Sequence, residues 1–190
     1  MAKTIEIRWH GRGGQGAKTA ALLLAEAAVE EGKYGQGFPE YGPERTGAPV
    51  LGFNRISDEP IRLHCQIVNP DVVIVLDPTL MDTIDVTEGT SKDGIIIVNT
   101  PESPKEIRRK YNIVDRKIYT VNASQIALEN IGRPIPNTVM MGALIRATNL
   151  LSLDTLIKGI EHKFTHRYDP KVAESNIKAI KRAYEEVIAE

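Results

Sequence analysis

Hydrophobic and polar residues alternate near the start of the chain and then give way to a helical pattern. In "TIEIRWH", Ile5, Ile7 and Trp9 alternate with polar residues, and this two-residue period predicts a β-strand. A glycine-rich turn follows. The next segment, "AKTAALLLAEAAVEEG", is rich in Ala, Leu and Glu and stops at Gly32, which predicts a helix closed by a glycine. The pattern therefore predicts strand, turn and helix in succession.

The middle of the chain predicts further strands. "PVLGFNRIS" (49–57) and "PIRLHCQIV" (60–68) have the composition of a strand pair. The apolar runs "VVIVLDP", "GIIIVNT" and "KIYTVNA" are rich in β-branched residues, which favours strands covered on both faces. We therefore predict an α/β fold of three layers, with a Rossmann-like, mostly parallel sheet and helices on both faces. A single domain over residues 1–190 is expected.

The last third of the chain predicts helices. The segments are "NTVMMGALIRATNLL", "LDTLIKGIEHKF" and "DPKVAESNIKAIKRAYEEVIAE". In the last of these, Pro170 suits the first helical turn and an apolar stripe predicts a helix docked on the core. The stripe consists of Val172, Ile177, Ile180, Tyr184, Val187 and Ile188.

Residues 33–52, "KYGQGFPEYGPERTGAPVLG", interrupt this regular pattern. They contain five glycines and three prolines, which predicts a loop without a regular element. Long loops inside compact domains are usually functional, so we expect this one to have a role.

Polar residues end three of the predicted strands: Asp77, Asn99 and Asn122. In an open α/β sheet the ligand crevice lies outside the carboxyl ends of the strands. If these strands are parallel to the first, the three side chains share an edge of the sheet with the glycine turn. Capping of the following turn or helix is the alternative role for each, because Asn and Asp are favoured there.

Composition narrows the class of protein. The chain has 190 residues, of which 42% are hydrophobic and 26% charged, and its net charge is −1. No overall positive field is available to gather nucleic acid or acidic lipid. The chain lacks an apolar signal segment after "KTIEIRWH" and any run of 18 apolar residues, so we expect a cytoplasmic protein. The single cysteine, Cys65, excludes an internal disulfide or an all-cysteine cluster in this chain, and we expect it in a strand.

The turn "WHGRGGQGAKTAA" is the main candidate for a site. Strand, turn and helix N-terminus together expose backbone N–H groups and the positive end of a helix dipole, which favours an anion. Glycines let the backbone approach a phosphate closely. The candidate binding residues are Arg12, Gly13, Gly14, Gln15, Gly16 and Lys18.

Two nucleotide motifs compete for this turn. Its glycines fit G-x-G-x-x-G, but a dinucleotide site needs a second strand ending in an acid about 20 residues later. Here the acids, Glu40 and Glu44, fall in the predicted loop. The turn also approaches the P-loop pattern, with "VVIVLD" imitating a magnesium-binding strand. In a P-loop the lysine follows the last glycine directly, whereas here Ala17 stands between Gly16 and Lys18. The extra residue rotates Lys18 by about 100° around the helix, away from the position expected of a P-loop lysine.

A third alternative needs no ligand, since glycines also permit close packing of strand on helix. Four glycines in six residues and the polar Gln15 between two of them exceed what packing requires. A stand-alone P-loop-like or Rossmann nucleotide-binding protein stays open as the alternative function.

Four stretches together carry a family resemblance: "GRGGQGAKTAALLLAEAA", "GFPEYGPERTGAPV", "VVIVLDPTL" and "IPNTVMMGAL". From about residue 6 to the C-terminus the chain resembles the gamma subunit of 2-oxoacid:ferredoxin oxidoreductases, most closely that of the pyruvate enzyme (pyruvate synthase). The phrase "FPEYGPERTGAP" is long and unusual in composition, which makes the resemblance specific.

The resemblance implies a role within a larger enzyme. The complete enzyme decarboxylates pyruvate oxidatively to acetyl-CoA, with ferredoxin as electron acceptor. Thiamine diphosphate, magnesium and the 4Fe-4S clusters would belong to the alpha, beta and delta subunits. This chain would have no catalytic residue and no metal of its own, would cover the active site and would help to bind coenzyme A. One cysteine is consistent with this, because a cubane cluster takes four thiolates.

The glycine- and proline-rich loop has a second expected role. Its prolines would hold it in a defined shape and so reduce the entropy lost on ordering it against a partner. We expect the loop to pack on the thiamine-bearing subunits near the substrate channel. Its residues for that contact are Tyr41, Gly42, Glu44, Arg45 and Thr46. Family members often carry Arg where this chain has Thr46.

Overall fold

The predicted strand, turn and helix are present at the start of the chain. The structure, a computed structural model, describes residues 4–40, 47–165 and 170–190. Strand β1 spans Ile5–Arg12 and helix α1 spans Ala17–Glu30. Gly32 follows the helix with a φ of 82° and donates its N–H to the carbonyl of Val29. Helix α1 therefore ends as predicted, at a glycine in the left-handed region.

A seven-stranded sheet in the order β2-β3-β1-β4-β5-β6-β7 forms the middle layer. The remaining strands are β2 (Tyr34–Glu40), β3 (Pro49–Ser57), β4 (Val72–Val75), β5 (Ile95–Asn99), β6 (Lys117–Val121) and β7 (Ile188–Ala189). The four central strands β1, β4, β5 and β6 are parallel, as predicted. Strand β3 pairs antiparallel with both β1 and β2, and β7 pairs antiparallel with β6.

Helices cover both faces of the parallel strands. They are α2 (Pro104–Tyr111), α3 (Ala123–Ile131), α4 (Asn137–Thr148), α5 (Leu153–Thr165) and α6 (Pro170–Glu186). Alternate strand residues face opposite sides, so Trp9 and Ile74 pack with α1 and α4, whereas Val73 and Val75 pack with α2. All of these strand residues are fully buried. The α/β class and the three layers are confirmed, with antiparallel strands added at both margins.

The prediction of a loop over residues 33–52 is wrong for much of that range. Its first part forms β2 and its last part begins β3. The glycines are there because α1 crosses these strands at very short range. A Cβ on Gly35, Gly37 or Gly52 would lie 2.5, 2.4 and 3.1 Å from carbonyl oxygens of α1, those of Ala25, Ala21 and Ala17 respectively. Glycine here permits close packing, not an irregular chain.

Two further expectations for this region are corrected. Residues 60–68 form no strand, since β3 pairs instead with β1 and β2. Cys65 therefore lies exposed in an irregular segment, where its sulfur is 3.7 Å from Nη2 of Arg55. Glu40 was expected to lie in a loop and is the last residue of β2.

The three helices predicted for the last third of the chain are present, but the last one packs on the core with a different set of residues from the predicted stripe. Helix α6 presents mainly Ala173, Ala179, Ile180 and Ala183 to the core. Most of the predicted stripe is only partly buried, and Ile188 lies in β7 with half its surface exposed. Small alanine side chains face the core here because α4 lies very close to α6. A Cβ on Gly142 of α4 would lie 2.2 Å from the carbonyl oxygen of Ile180. Across the described parts of the chain, no helix has the length and apolar character needed to cross a bilayer.

Candidate functional site at the glycine turn

The carboxyl ends of β1, β4 and β5 meet at one edge of the sheet, as predicted from their polar end residues. Strand β1 leads into the glycine turn, β4 is followed by Asp77, and β5 ends in Asn99. Since these strands are parallel and adjacent, the turn and both side chains lie on the same side of the sheet.

The turn folds around its own polar side chain. The Gln15 side-chain oxygen accepts the N–H of Arg12 at 2.7 Å, and the Gln15 N–H returns to the Arg12 carbonyl at 3.0 Å. The N–H of Gly13 is bound to the carbonyl of Ala48 at 2.9 Å. Gly14 and Gly16 have φ values of 96° and 81°, a region that other residues rarely adopt. The glycines at these two positions are therefore required by backbone conformation.

The N-terminus of α1 opens at this turn. Gly16 is the N-cap and supplies no side chain, so no side-chain hydrogen bond caps the helix. Among the described residues, no acceptor meets the N–H of Gly14 or of Gly16. A Cβ built on Gly14 would meet no atom of the described residues within 4 Å, so this part of the chain leaves open space beside Gly14. The arrangement has the donors, the dipole and the room that an anion needs.

Asp77 fastens the turn to the end of β4. Its carboxylate accepts from Arg12 Nε at 3.1 Å, from Gln15 Nε2 at 3.0 Å and from the Thr79 N–H at 3.0 Å. Burial raises the pKa of Asp77, but hydrogen bonds from Thr79 and Gln15, together with the charge of Arg12, outweigh it and lower the pKa overall. Asp77 is thus held as a carboxylate that shapes the turn.

The guanidinium of Arg12 is used within the protein. Besides Asp77, it donates to the Gly47 carbonyl at 3.2 Å and to the Thr79 hydroxyl at 3.0 Å. About a third of the side chain is still exposed. Arg12 is therefore held in a fixed position beside the turn, with its charge paired to that of Asp77. Lys18, in the first turn of α1, is exposed.

The two asparagines differ in role. Asn99 donates to the Leu76 carbonyl and to the Ser124 hydroxyl, both at 2.8 Å, and accepts the Ser124 N–H at 3.0 Å. It ties neighbouring strand ends together. Asn122 caps α3 by accepting the N–H of Gln125 at 3.3 Å. The capping alternative is therefore correct for Asn122. It is correct in part for Asp77, whose carboxylate also caps the 3-10 helix Pro78–Asp82 by accepting the Thr79 N–H.

Two residues at the turn were missed in the sequence. Thr79 joins Arg12 and Asp77, and Asn137, at the start of α4, places its amide nitrogen 3.4 Å from the Gly16 carbonyl oxygen. A Cβ on Gly16 would lie 2.3 Å from that nitrogen, so Asn137 fits only against glycine. Both residues could have been identified from the sequence, because they lie in two of the stretches that carry the family resemblance, "VVIVLDPTL" and "IPNTVMMGAL". The predicted partner loop, Tyr41, Gly42, Glu44, Arg45 and Thr46, lies outside the described residues.

The geometry disfavours both nucleotide motifs. Glu40 does end a strand after α1, but β3 separates that strand from β1, so Glu40 does not stand next to the turn as a ribose-binding acid would. Asp77 is committed to Arg12, Gln15 and Thr79, whereas a P-loop aspartate helps to hold magnesium.

Comparison with known proteins decides between these alternatives. The family model for pyruvate ferredoxin/flavodoxin oxidoreductase matches residues 6–186. The chain belongs to this family. Pyruvate synthase subunit PorC of Thermotoga maritima is 51% identical over 185 residues, covering 97% of this chain and 95% of the relative. The pyruvate/ketoisovalerate oxidoreductases common subunit gamma of Pyrococcus abyssi is 50% identical over 181 residues, covering 95% and 96% of the two chains.

Solved structures agree with the family. The crystal structure of pyruvate oxidoreductase subunit PORC from Thermotoga maritima matches with a TM-score of 0.88 and 49% identity, covering 99% of both chains. A 2-oxoglutarate:ferredoxin oxidoreductase from Magnetococcus marinus, solved with 2-oxoglutarate, coenzyme A and succinyl-CoA bound, matches with a TM-score of 0.75 and 24% identity. That match covers 96% of this chain and 31% of the other, and it establishes a shared fold. The resemblance to gamma subunits seen in the sequence is confirmed, and the stand-alone nucleotide-binding alternative is not favoured.

Proposed function

We propose that this chain is the non-redox gamma subunit of a multi-subunit pyruvate:ferredoxin oxidoreductase, and that its glycine turn binds the phosphates of coenzyme A. Its relatives are subunits of enzymes that act on pyruvate, which supports the first part. An enzyme in which about a third of one chain has this fold was solved with coenzyme A bound, and this supports coenzyme A as the ligand of an anion site in this subunit.

The observation that carries the proposal is a pair of N–H groups without an acceptor among the described residues, with open space among those residues at Gly14. The N–H groups of Gly14 and Gly16 have no acceptor among the described residues, and they lie next to the start of α1, where no side chain caps the helix. A phosphate oxygen can accept several such N–H groups at once, and the helix dipole adds typically 0.3–1 kcal/mol. A neutral ligand would gain much less from these N–H groups and from the helix dipole.

The other predicted residues have distinct parts in the proposed site. Gly13 and Gln15 shape the backbone, since both are hydrogen-bonded within or beside the turn. Arg12 is fixed by Asp77 and keeps a third of its side chain exposed, so its guanidinium would also donate to a phosphate. Lys18 stands in the first helical turn, within reach of a long, flexible ligand that has several phosphates. None of these side chains performs a chemical step. They bind and orient the acyl acceptor.

The partners follow from the proposed assignment. Thiamine diphosphate with magnesium and the 4Fe-4S clusters would lie in the alpha, beta and delta subunits, and ferredoxin would receive electrons from the complex. The loop Tyr41, Gly42, Glu44, Arg45 and Thr46 would contact the thiamine-bearing subunits. This chain would then cover the active site while holding coenzyme A.

The test substitutes alanine at two glycines that both have a positive φ. Gly14 and Gly132 have φ values of 96° and 78°, and a Cβ at either would meet no described atom within 4 Å. Gly132 closes α3, away from the turn. Both Gly14→Ala and Gly132→Ala should cost about 1 kcal/mol in backbone strain. In the assembled enzyme, only Gly14→Ala should raise the KM for coenzyme A, by about tenfold, which corresponds to 1.4 kcal/mol.

The KM for pyruvate provides the internal control. It should change less than about twofold in both variants, because the 2-oxoacid is expected mainly on other subunits. Equal effects of Gly14→Ala on both substrates would contradict the proposal and give the turn a packing role instead.

A further inference from the structure

A large groove lies on the sheet face opposite α1. Its volume is about 840 Å³. Arg8 and His10 of β1 lie at its base, and Leu51 of β3 contributes to the lining. Two irregular segments, residues 66–69 and 84–89, form its sides. We call this the β1 groove.

Neutral His10 presents an unused donor at the base of the β1 groove. The side chain is 5% exposed, and its Nε2 accepts a hydrogen bond from Arg8 Nε at 3.0 Å. The proton of the neutral ring is therefore on Nδ1. That Nδ1 is buried and has no hydrogen-bond partner among the described residues. Burial, and secondarily the charge of Arg8, lower the pKa of His10 to about 4, so the ring stays neutral at physiological pH.

The neighbouring guanidinium is also incompletely satisfied. Arg8 is 8% exposed, and its Nη2 donates to the carbonyls of Val86 and Glu88 at 3.0 and 2.7 Å. Its Nη1 makes no hydrogen bond within the described chain, and no carboxylate of those residues lies within 4 Å of Arg8. Of the two, His10 Nδ1 is the donor that is both fully buried and unpaired. Since buried polar groups are nearly always paired, it favours an oxygen acceptor supplied from outside the chain, and Arg8 Nη1 is a second donor beside it.

The rim of the β1 groove adds an apolar and an acidic component. Val68 and Ile84 are 66% and 38% exposed, so both present apolar surface at the rim. Three carboxylates, those of Glu40, Asp85 and Glu88, lie around it. With Arg8 as the only positively charged residue among the described lining residues, the lining carries an excess of negative charge.

We propose that the β1 groove receives a segment of another subunit of the same complex, one that presents a Lys or Arg side chain beside an apolar side chain. The basic group would pair with the acidic rim and the apolar group would cover Val68 and Ile84. A backbone carbonyl of the segment would accept from His10 and Arg8. The inference rests on the proposed function in one respect, namely that the chain assembles with partner subunits.

The charges argue for a chain segment instead of a small carboxylate. A free anion could accept hydrogen bonds from the donors at the base, but the three carboxylates around the groove would repel it. A basic peptide is attracted by the same acids and brings uncharged carbonyl acceptors to the base. Complementary charge of this kind fixes register and speeds association, while the apolar contact supplies the affinity.

The test measures binding of the full chain to the co-purified remaining subunits, with variants at the groove and at matched positions elsewhere. Val68→Asp and Glu88→Lys change the rim. Val114→Asp and Glu174→Lys make the same changes at exposed sites outside it, Val114 being 56% exposed. The rim variants should weaken binding by about tenfold or more each, and the matched variants by less than about twofold. Thermal unfolding of the free chain should be alike in all four.

A second measurement locates the contact. On assembly, amide hydrogen exchange in residues 66–69 and 84–89 should slow by at least about tenfold, because docking suppresses local opening. Wild-type binding by both rim variants, equal weakening by the matched variants, or unchanged exchange in these segments would overturn the proposal. The KM for coenzyme A tests the glycine turn and not the β1 groove. If Gly14→Ala leaves that KM unchanged, the binding and exchange measurements still decide whether the groove is a subunit contact.

Discussion

The Nε atom of Arg12 lies 3.1 Å from the carboxylate oxygen of Asp77, and this ion pair joins the glycine turn to the end of the neighbouring strand. The two residues are 65 positions apart in the chain. Gln15 and Thr79 bind the same carboxylate. The turn is therefore shaped before any ligand arrives, which reduces the entropy lost on binding.

Replacement of Asp77 by Asn should loosen this turn. The variant keeps the shape of the side chain but removes the charge that pairs with Arg12, whose side chain is a third exposed. We expect the free energy of unfolding at pH 7 to fall by about 1–2 kcal/mol. Asp93→Asn, at an exposed position, is the control and should change it by less than about 0.5 kcal/mol. Urea unfolding of the three proteins measures both values.

The stability difference caused by Asp77→Asn should depend on pH. The pKa of Asp77 is below its ordinary value of 3.8, so its ionised form stabilises the fold above that pH. As the pH falls below 3.8 and through the lowered pKa, the wild type protonates Asp77 and loses this contribution. The wild type and the variant should then converge. A difference that stays constant from pH 7 down to pH 2 would show that the charge of Asp77 is not what holds the turn.

His10 should make the fold sensitive to mild acid. Its pKa is about 4 in the folded chain against 6.5 ordinarily, so the unfolded chain binds a proton first as the pH falls. The resulting loss of stability is at most about 3 kcal/mol between pH 6.5 and 4. His10→Gln should remove this part of the pH slope, and His64→Gln, at an exposed site, should leave it intact. Identical slopes in wild type and His10→Gln would contradict the burial of a neutral ring.

The close approach of α1 to β2 and β3 predicts a graded series. Alanine at Gly37 or Gly35 would place a Cβ 2.4 or 2.5 Å from a backbone oxygen, so each should lower the free energy of unfolding by about 2–3 kcal/mol. At Gly52 the distance is 3.1 Å, and a loss of about 1 kcal/mol or less is expected. Denaturant titration gives the order. Equal losses at all three positions would mean that strand propensity, and not helix contact, requires the glycines.

Much of the fold was predictable from the chain because its central elements have strong local signals. The alternation in β1 and the β-branched run of β4 identify strands, and Gly32 marks the end of α1. Their parallel order places Asp77 beside the turn. The glycine turn was likewise visible in the sequence as a candidate anion site, although its shape depends on Asp77, Thr79 and Asn137, whose contacts cross long stretches of chain.

The errors arise where tertiary packing overrides local preference. Gly35, Gly37 and Pro39 argue against a strand, yet β2 forms because α1 needs a surface free of side chains and β3 supplies hydrogen bonds. The segment 60–68 has strand composition, but the position beside β3 is already occupied by β2. Similarly, the alanines of α6 reach the core because Gly142 brings α4 close. None of these contacts has a local signature.

The most direct test of the coenzyme A assignment is a structure of the assembled enzyme with coenzyme A bound. We expect phosphate oxygens at hydrogen-bond distance, about 3 Å, from the N–H groups of Gly14 and Gly16 at the start of α1. Phosphates bound elsewhere, with these two N–H groups facing solvent or another subunit, would contradict the assignment.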